Sequence, residues 1–120
     1  DDDADDHYFL RNAIGKVIPH ALVESVYDGS EALQYLNRCL ILPDLIFLDL
    51  NMLKISGQHT ISLIRERNEL KDVPVVVLTT SKNEKEKSML LSLGASDFYS
   101  KPHETKELVT IVKEVVERWL

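Results

Sequence analysis

Cysteine is almost absent from this sequence: Cys39 is the single one among 120 residues, so no internal disulfide can form. Because Cys39 follows the apolar stretch of a predicted helix, we interpret it as a buried thiol in a reducing compartment. No apolar run approaches the roughly 18 residues of a membrane span, and the acidic start lacks the basic residues of a signal peptide. We therefore expect a cytoplasmic protein without membrane association.

Basic charge, glycine and proline are also scarce. The chain has 14 Lys+Arg against 20 Asp+Glu, a net charge of −6, with 4 Gly and 4 Pro. A negative chain gains nothing from the phosphate backbone of nucleic acid, so direct nucleic-acid binding is not expected. A chain of this length can bury one core without disulfides or a structural metal. We expect a single domain over residues 1–120, with proteins and metal ions as partners.

Apolar periodicity and turn residues divide the chain into alternating helices and strands. Strands are predicted over 21–27, 45–48, 73–78 and 96–100. Helices are predicted from Asp3 to Pro19, from a Ser30 cap to Pro43, over 57–68, from an Asn83 cap to a Gly94 C-cap, and over 108–119. The runs 45–48 and 73–78 are apolar without alternation, which is typical of parallel strands buried on both faces. The order indicates an α/β protein, a three-layer sandwich with a parallel sheet.

Polar side chains follow the strands of this predicted sheet. Asp49 ends one central strand, Thr79 ends the next, and Lys101 follows the last, while the acidic run 1–3 precedes the first helix. Any one of them alone is most simply the start of a solvated loop. Neighbouring strand ends lie only about 5 Å apart, so all four features are expected in one crevice.

The residue types in this crevice point to phosphoryl chemistry. Clustered carboxylates repel one another unless a cation neutralises them, and hard oxygen ligands suit Mg²⁺. The amine of Lys101 beside such a cation is unfavourable unless a polyanion lies between them. A phosphoryl group could contact Mg²⁺, Lys101 and the Thr79 hydroxyl while Asp49 supplies the attacking oxygen. The sequence therefore predicts an aspartyl-phosphate site.

These residues give the chain a resemblance to the receiver domains of two-component response regulators, in particular single-domain, chemotaxis-type ones. The matching segments are the acidic start Asp1-Asp2, the run 45–49, the run 77–81, Gly94-Ala95 and 100–102. The resemblance implies a flavodoxin-like, doubly wound five-stranded parallel sheet of order 2-1-3-4-5. Its first strand is missing from the sequence, so we expect four or five apolar residues before Asp1 in the natural protein.

The resemblance also implies a phosphoryl donor and a cofactor. Asp49 would accept a phosphoryl group from the phosphohistidine of a histidine kinase or of a histidine phosphotransfer protein. Mg²⁺ would be bound by Asp2, Asp49 and the backbone carbonyl of Asn51, with Asp1 helping through water. The protein would be a phosphoacceptor that assists its own phosphorylation and dephosphorylation, and not otherwise an enzyme.

The resemblance further implies a switch. Thr79 and Lys101 would hold the phosphoryl oxygens, and Phe98 would turn inward when Thr79 moves toward the phosphate. The plainer interpretation of Phe98 is an apolar side chain of the last strand. The fourth helix, last strand and fifth helix would then form a surface that docks a downstream protein or a second copy of the chain.

Some positions depart from the family pattern, and two other functions stay open. Met52-Leu53, Ser56-Gly57 and His103 replace residues common in the family, but none of them is a phosphorylation residue. An aspartate-nucleophile phosphatase is one alternative, although Asn51 cannot serve as its general acid. A receiver that binds proteins without phosphorylation is the other. An EF-hand over the acidic start is rejected, because Asp6 and Asn12 stand where Gly and Glu are needed.

Overall fold

The structure, a computed structural model, describes residues 3–38, 41–49, 56–80 and 83–120. The helices are α1 (Ala4–Val17), α2 (Gly29–Arg38), α3 (Gly57–Glu66), α4 (Glu84–Leu93) and α5 (Thr105–Trp119), and the strands are β1 (Ile46–Asp49), β2 (Val75–Thr79) and β3 (Asp97–Ser100). A 3₁₀ helix, Asn68–Leu70, follows α3. Apart from the segment 21–27, each predicted element is present, and its ends differ from the prediction by a few residues.

The three strands form one parallel sheet in the order β1-β2-β3. Asp49 of β1 pairs with Leu78 of β2, and Thr79 of β2 pairs with Ser100 of β3. This order and direction match those predicted for the third, fourth and fifth strands. The α/β class with a parallel sheet is confirmed.

The number of strands differs from the prediction. Among the described residues the sheet has three strands and not five, and the segment 21–27 is extended but belongs to no strand. Leu22 in this segment is 98% exposed. A strand exists only when a neighbour satisfies its N–H and C=O groups, and the expected order gives this segment the first strand as its neighbour. The described chain supplies no such neighbour, so β-propensity alone does not make a strand here.

Helices cover both faces of the sheet, as expected for three layers. Alternate strand residues point to opposite faces. Leu48, Val75 and Val77 join a buried cluster with residues of α2, α3 and α4. Phe47 packs on the other face, against a cluster formed by α1 and α5. Burial on both faces explains why the sequences of β1 and β2 are apolar without alternation.

Polar side chains at the starts of several helices accept hydrogen bonds from backbone N–H groups of the first turn. The Asp3 carboxylate accepts from the backbone N–H groups of Asp5 and Asp6 at the start of α1, and Asn83 caps α4 as predicted. The predicted Ser30 cap of α2 is wrong. Helix α2 begins at Gly29, and the Asp28 carboxylate accepts from the Glu31 N–H at 2.8 Å. The Asp28 carboxylate, two residues before Ser30, thus satisfies one of the free N–H groups in the first turn of α2.

Two glycines are expected to respond in opposite directions to replacement by alanine. Gly94 ends α4 with φ of +115°, and an added Cβ would lie 2.5 Å from the Cγ of Arg65. We expect Gly94→Ala to lower the free energy of unfolding by about 1–2 kcal/mol or more. Gly15 lies inside α1 with nothing within 4 Å of the added Cβ, so Gly15→Ala should raise it by about 0.5–1 kcal/mol. Urea denaturation of both variants checks the pair; equal effects would contradict it.

Candidate functional site

The carboxyl ends of the three strands meet at one edge of the sheet. Asp49 ends β1 and Thr79 ends β2, and both are buried, with 3% and 1% of their surface exposed. Lys101 directly follows β3, and its backbone N–H donates to the Thr79 carbonyl oxygen at 2.7 Å. The parallel register thus brings together the three residues that the sequence predicted at the strand ends.

The Lys101 ammonium group reaches the buried carboxylate of Asp49. Its Nζ lies 3.3 Å from Asp49 Oδ2 and donates to Asp6 Oδ2 at 2.8 Å. Burial acts to lower the pKa of Lys101, but the hydrogen bond to Asp6 and the negative charge of Asp49 outweigh it. The net result is a raised pKa, so Lys101 is positively charged at neutral pH.

Asp6 is the site residue that sequence reasoning missed. It lies in the first turn of α1, and its side chain is 38% exposed. In the acidic start, the predicted metal ligands were Asp1 and Asp2, and Asp6 entered only as a residue that rules out an EF-hand. The spacing offered a signal: Asp6 lies four and seven residues before Leu10 and Ala13, so it continues the face of α1 that packs toward the sheet.

The predicted switch residues lie on two neighbouring strands. Thr79 is buried at the end of β2, whereas the adjacent Thr80 is exposed. Phe98 lies in β3, is partly buried, and packs against the cluster that includes Val77 and Leu90. Position and packing therefore agree with either interpretation of Phe98, the switch or the plain strand residue.

A polar hollow opens at this edge of the sheet. It is lined by Asp3, Asp6, Asp49, Thr80, Lys101, Pro102 and His103. Three carboxylates against one ammonium group leave an excess of negative charge, and oxygen ligands in such surroundings suit a hard divalent cation. The carboxylate oxygens that line the hollow are therefore of the ligand type that the predicted divalent cation prefers.

Three of the four predicted metal ligands, Asp1, Asp2 and Asn51, lie outside the described residues. Within 3–38, 41–49, 56–80 and 83–120, no group of three His, Cys, Asp or Glu side chains is arranged to hold a metal ion. Asp49 is the predicted ligand that the structure describes, and it lies in the hollow. Cys39 also lies outside the described residues.

Comparison with known proteins identifies the family of this chain. The family model for the response regulator receiver domain matches residues 4–113. The chain belongs to the response regulator receiver domain family, so it carries a signalling module of two-component systems. The resemblance inferred from the strand-end residues is thereby confirmed.

Curated relatives place the matching segment in several kinds of protein. The probable methanogenesis regulatory protein FilR2 of Methanothrix harundinacea is 33% identical over 102 residues, which cover 82% of this chain and 66% of that protein. The sensor histidine kinase TmoS of Ectopseudomonas mendocina is 35% identical over 89 residues, 74% of this chain but 9% of the kinase. The chain thus spans less than two thirds of the length of these relatives.

Solved structures agree over nearly the whole chain. The phosphorylated cyanobacterial phytochrome response regulator RcpA has a TM-score of 0.89 and 33% identity, covering 99% of this chain and 89% of that one. The Mn²⁺-bound form of the response regulator Rcp1 has a TM-score of 0.79 and 28% identity, with coverages of 100% and 90%. One of these relatives was therefore solved phosphorylated and the other with a divalent metal.

Among the residues that the structure describes, no helix has both the length and the apolar character needed to cross a bilayer.

Proposed function

We propose that Asp49 accepts a phosphoryl group from a phosphohistidine. The observation that carries this proposal is the Lys101 ammonium group, 3.3 Å from Asp49 Oδ2 at the strand end beside Thr79. An oxygen of the Asp49 carboxylate attacks phosphorus while the P–N bond of the phosphohistidine breaks. The bonding electrons return to the imidazole nitrogen, and an acyl phosphate forms on Asp49.

The residues around Asp49 compensate the charge that this transfer brings. Phosphorylation adds about one to two negative charges to a site that is already acidic. The Lys101 ammonium group and the Thr79 hydroxyl would bind the phosphoryl oxygens. Mg²⁺, held by Asp1, Asp2, Asp49 and the Asn51 backbone carbonyl, would neutralise the remaining charge on the phosphoryl oxygens.

The donor is a sensor histidine kinase or a histidine phosphotransfer protein in the cytoplasm. TmoS, a sensor histidine kinase, contains a segment that is 35% identical to this chain, which supports a two-component partner. Phosphorylation would draw Thr79 toward the new oxygens and free space for Phe98. The faces of α4, β3 and α5 would then dock a downstream protein or a second copy of this chain.

We further propose that the chain is not an enzyme apart from assisting its own phosphorylation and dephosphorylation. The protein-glutamate methylesterase/protein-glutamine glutaminase of Treponema pallidum is 34% identical over 122 residues, but these are 29% of that protein. The part of this chain that aligns with it, 94% of the chain, is the part that the receiver family model matches over 4–113.

Labelling with a small phosphodonor tests the acceptor. After incubation with acetyl phosphate and Mg²⁺, we expect the intact mass to increase by one phosphoryl group. Asp49→Ala should abolish the increase, because it removes the attacking oxygen. Asp44→Ala, an exposed aspartate just before β1, should label like the parent. Chelation of Mg²⁺ with EDTA should prevent labelling.

Two outcomes would replace this function with an alternative. A folded parent that gains no phosphate in Mg²⁺ would favour the phosphorylation-independent binding module. Continuous release of phosphate from small phosphomonoesters would favour the aspartate-nucleophile phosphatase.

A further inference from the structure

The Lys101 ammonium group is shared between two carboxylates from distant parts of the chain. Its shorter contact, 2.8 Å, is to Asp6 of α1, and its longer contact, 3.3 Å, is to Asp49 of β1. The Asp49 side chain is 2% exposed and the Asp6 side chain 38%. Asp6 is therefore the solvent-side partner of this lysine, and Asp49 is the buried one.

An incoming phosphoryl group would have to share this lysine with Asp6. The phosphodonor reaches Asp49 from the hollow, and Asp6 lines the same hollow together with Lys101. The ammonium group has three N–H groups, so contact with Asp6 occupies one of them while the phosphodonor binds. The Asp6 carboxylate also repels a phosphate dianion that approaches the same cation. Both effects weaken binding of the phosphodonor without touching the bonds that form and break.

We propose that Asp6 is a positioning residue that competes with the phosphodonor for the Lys101 ammonium group. In the unphosphorylated protein it holds that group toward the solvent side of the hollow. Asp6 thereby sets the concentration of phosphodonor at which Asp49 becomes labelled. This inference rests on the proposed function of Asp49.

The test compares variants in the acetyl phosphate reaction at saturating Mg²⁺. For Asp6→Asn we expect half-maximal labelling at an acetyl phosphate concentration about five- to tenfold below that of the parent. The maximal labelling rate should stay unchanged, because Asp6 acts on donor binding alone. Asp6→Glu restores the carboxylate and should return the half-maximal concentration toward that of the parent.

Asp5→Asn is the matched control. It removes the same charge from the same helical turn, but the Asp5 side chain is exposed and does not line the hollow. We expect it to change the half-maximal concentration by less than about twofold. If Asp6→Asn is poorly folded by circular dichroism, Asp6→Ser provides the same comparison.

The possible failures can be told apart. If the parent is labelled at Asp49 and the Asp6 variants behave like Asp5→Asn, the role of Asp6 is overturned and the function of Asp49 stands. A change confined to the maximal rate would overturn the role of Asp6 as well. If the folded parent is not labelled at all, the proposed function fails, and the competition by Asp6 fails with it.

Discussion

Lys101→Met should lower the free energy of unfolding by about 3 kcal/mol in metal-free buffer. Asp49 has a side chain that is 2% exposed, and Lys101 is its ion-pair partner at 3.3 Å. Removing the ammonium group leaves a buried carboxylate with less compensation, and such a loss costs far more than breaking a surface pair. Urea denaturation in EDTA measures the loss.

Removing the charge of Asp49, the other member of this ion pair, should change the free energy of unfolding much less. Asp49→Asn removes the buried negative charge itself, and Lys101 keeps its 2.8 Å contact with Asp6. We expect its free energy of unfolding to lie within about 1 kcal/mol of the parent. Mg²⁺ should reduce the loss in Lys101→Met, because a divalent cation also compensates the Asp49 carboxylate. Equal losses in the two variants would show that the unfolding free energy lost in Lys101→Met does not come from the buried charge of Asp49.

Arg65→Met should lower the free energy of unfolding by about 3 kcal/mol, the second large effect that we expect. The Arg65 guanidinium donates to the backbone carbonyls of Gly94 and Leu70, at 2.9 and 2.7 Å. This guanidinium is partly buried, which lowers the pKa of Arg65, and the negative charge of Asp72 offsets part of that lowering. Hydrogen bonds from a charged donor contribute about 1.5–3 kcal/mol each, and the carbonyl oxygens would lose their donor. Thermal and urea denaturation both report the loss.

Arg67→Met is the matched control for Arg65→Met. Arg67 lies two residues further along and donates to the side chains of Glu69 and Asn37 on the surface. Exposed side-chain pairs contribute little, so we expect a loss below about 1 kcal/mol. Arg65→Lys should recover only part of the loss, because a single ammonium group cannot reproduce the guanidinium fork. Similar losses in Arg65→Met and Arg67→Met would show that the hydrogen bonds from Arg65 to the backbone carbonyls do not stabilise the fold.

Features that depend on neighbouring residues in sequence were the most predictable. The Asn83 cap and the Gly94 C-cap of α4 are present as expected, since each acts within one helical turn. The apolar runs of β1 and β2 identified buried parallel strands, because both of their faces contact helices. The Ser30 cap was wrong, because α2 begins at Gly29 and Asp28, the other candidate cap nearby, accepts from the Glu31 N–H in its first turn.

The candidate site also combines contacts that the sequence predicts with one that depends on tertiary packing. Asp49, Thr79 and Lys101 could be brought together from the sequence, because strand ends in a parallel sheet share one edge. The contact of Asp6 with Lys101 joins residues 95 positions apart, and it depends on how α1 packs over the sheet beside α5. No local pattern specifies that packing. The sequence offered only the position of Asp6 in line with the apolar residues Leu10 and Ala13 of α1.

By itself, the sequence determined the α/β class, the order of β1, β2 and β3, and the polar residues that end them. The class and the residues that end the strands follow from periodicities of 2 and 3.6 residues and from right-handed crossover connections, whereas the strand order is what the resemblance to receiver domains implies. The tertiary structure alone decided that 21–27 forms no strand, since pairing needs a neighbour in space. It also decided that Asp6 binds Lys101, because the position of a helix over a sheet follows from the packing of the whole core.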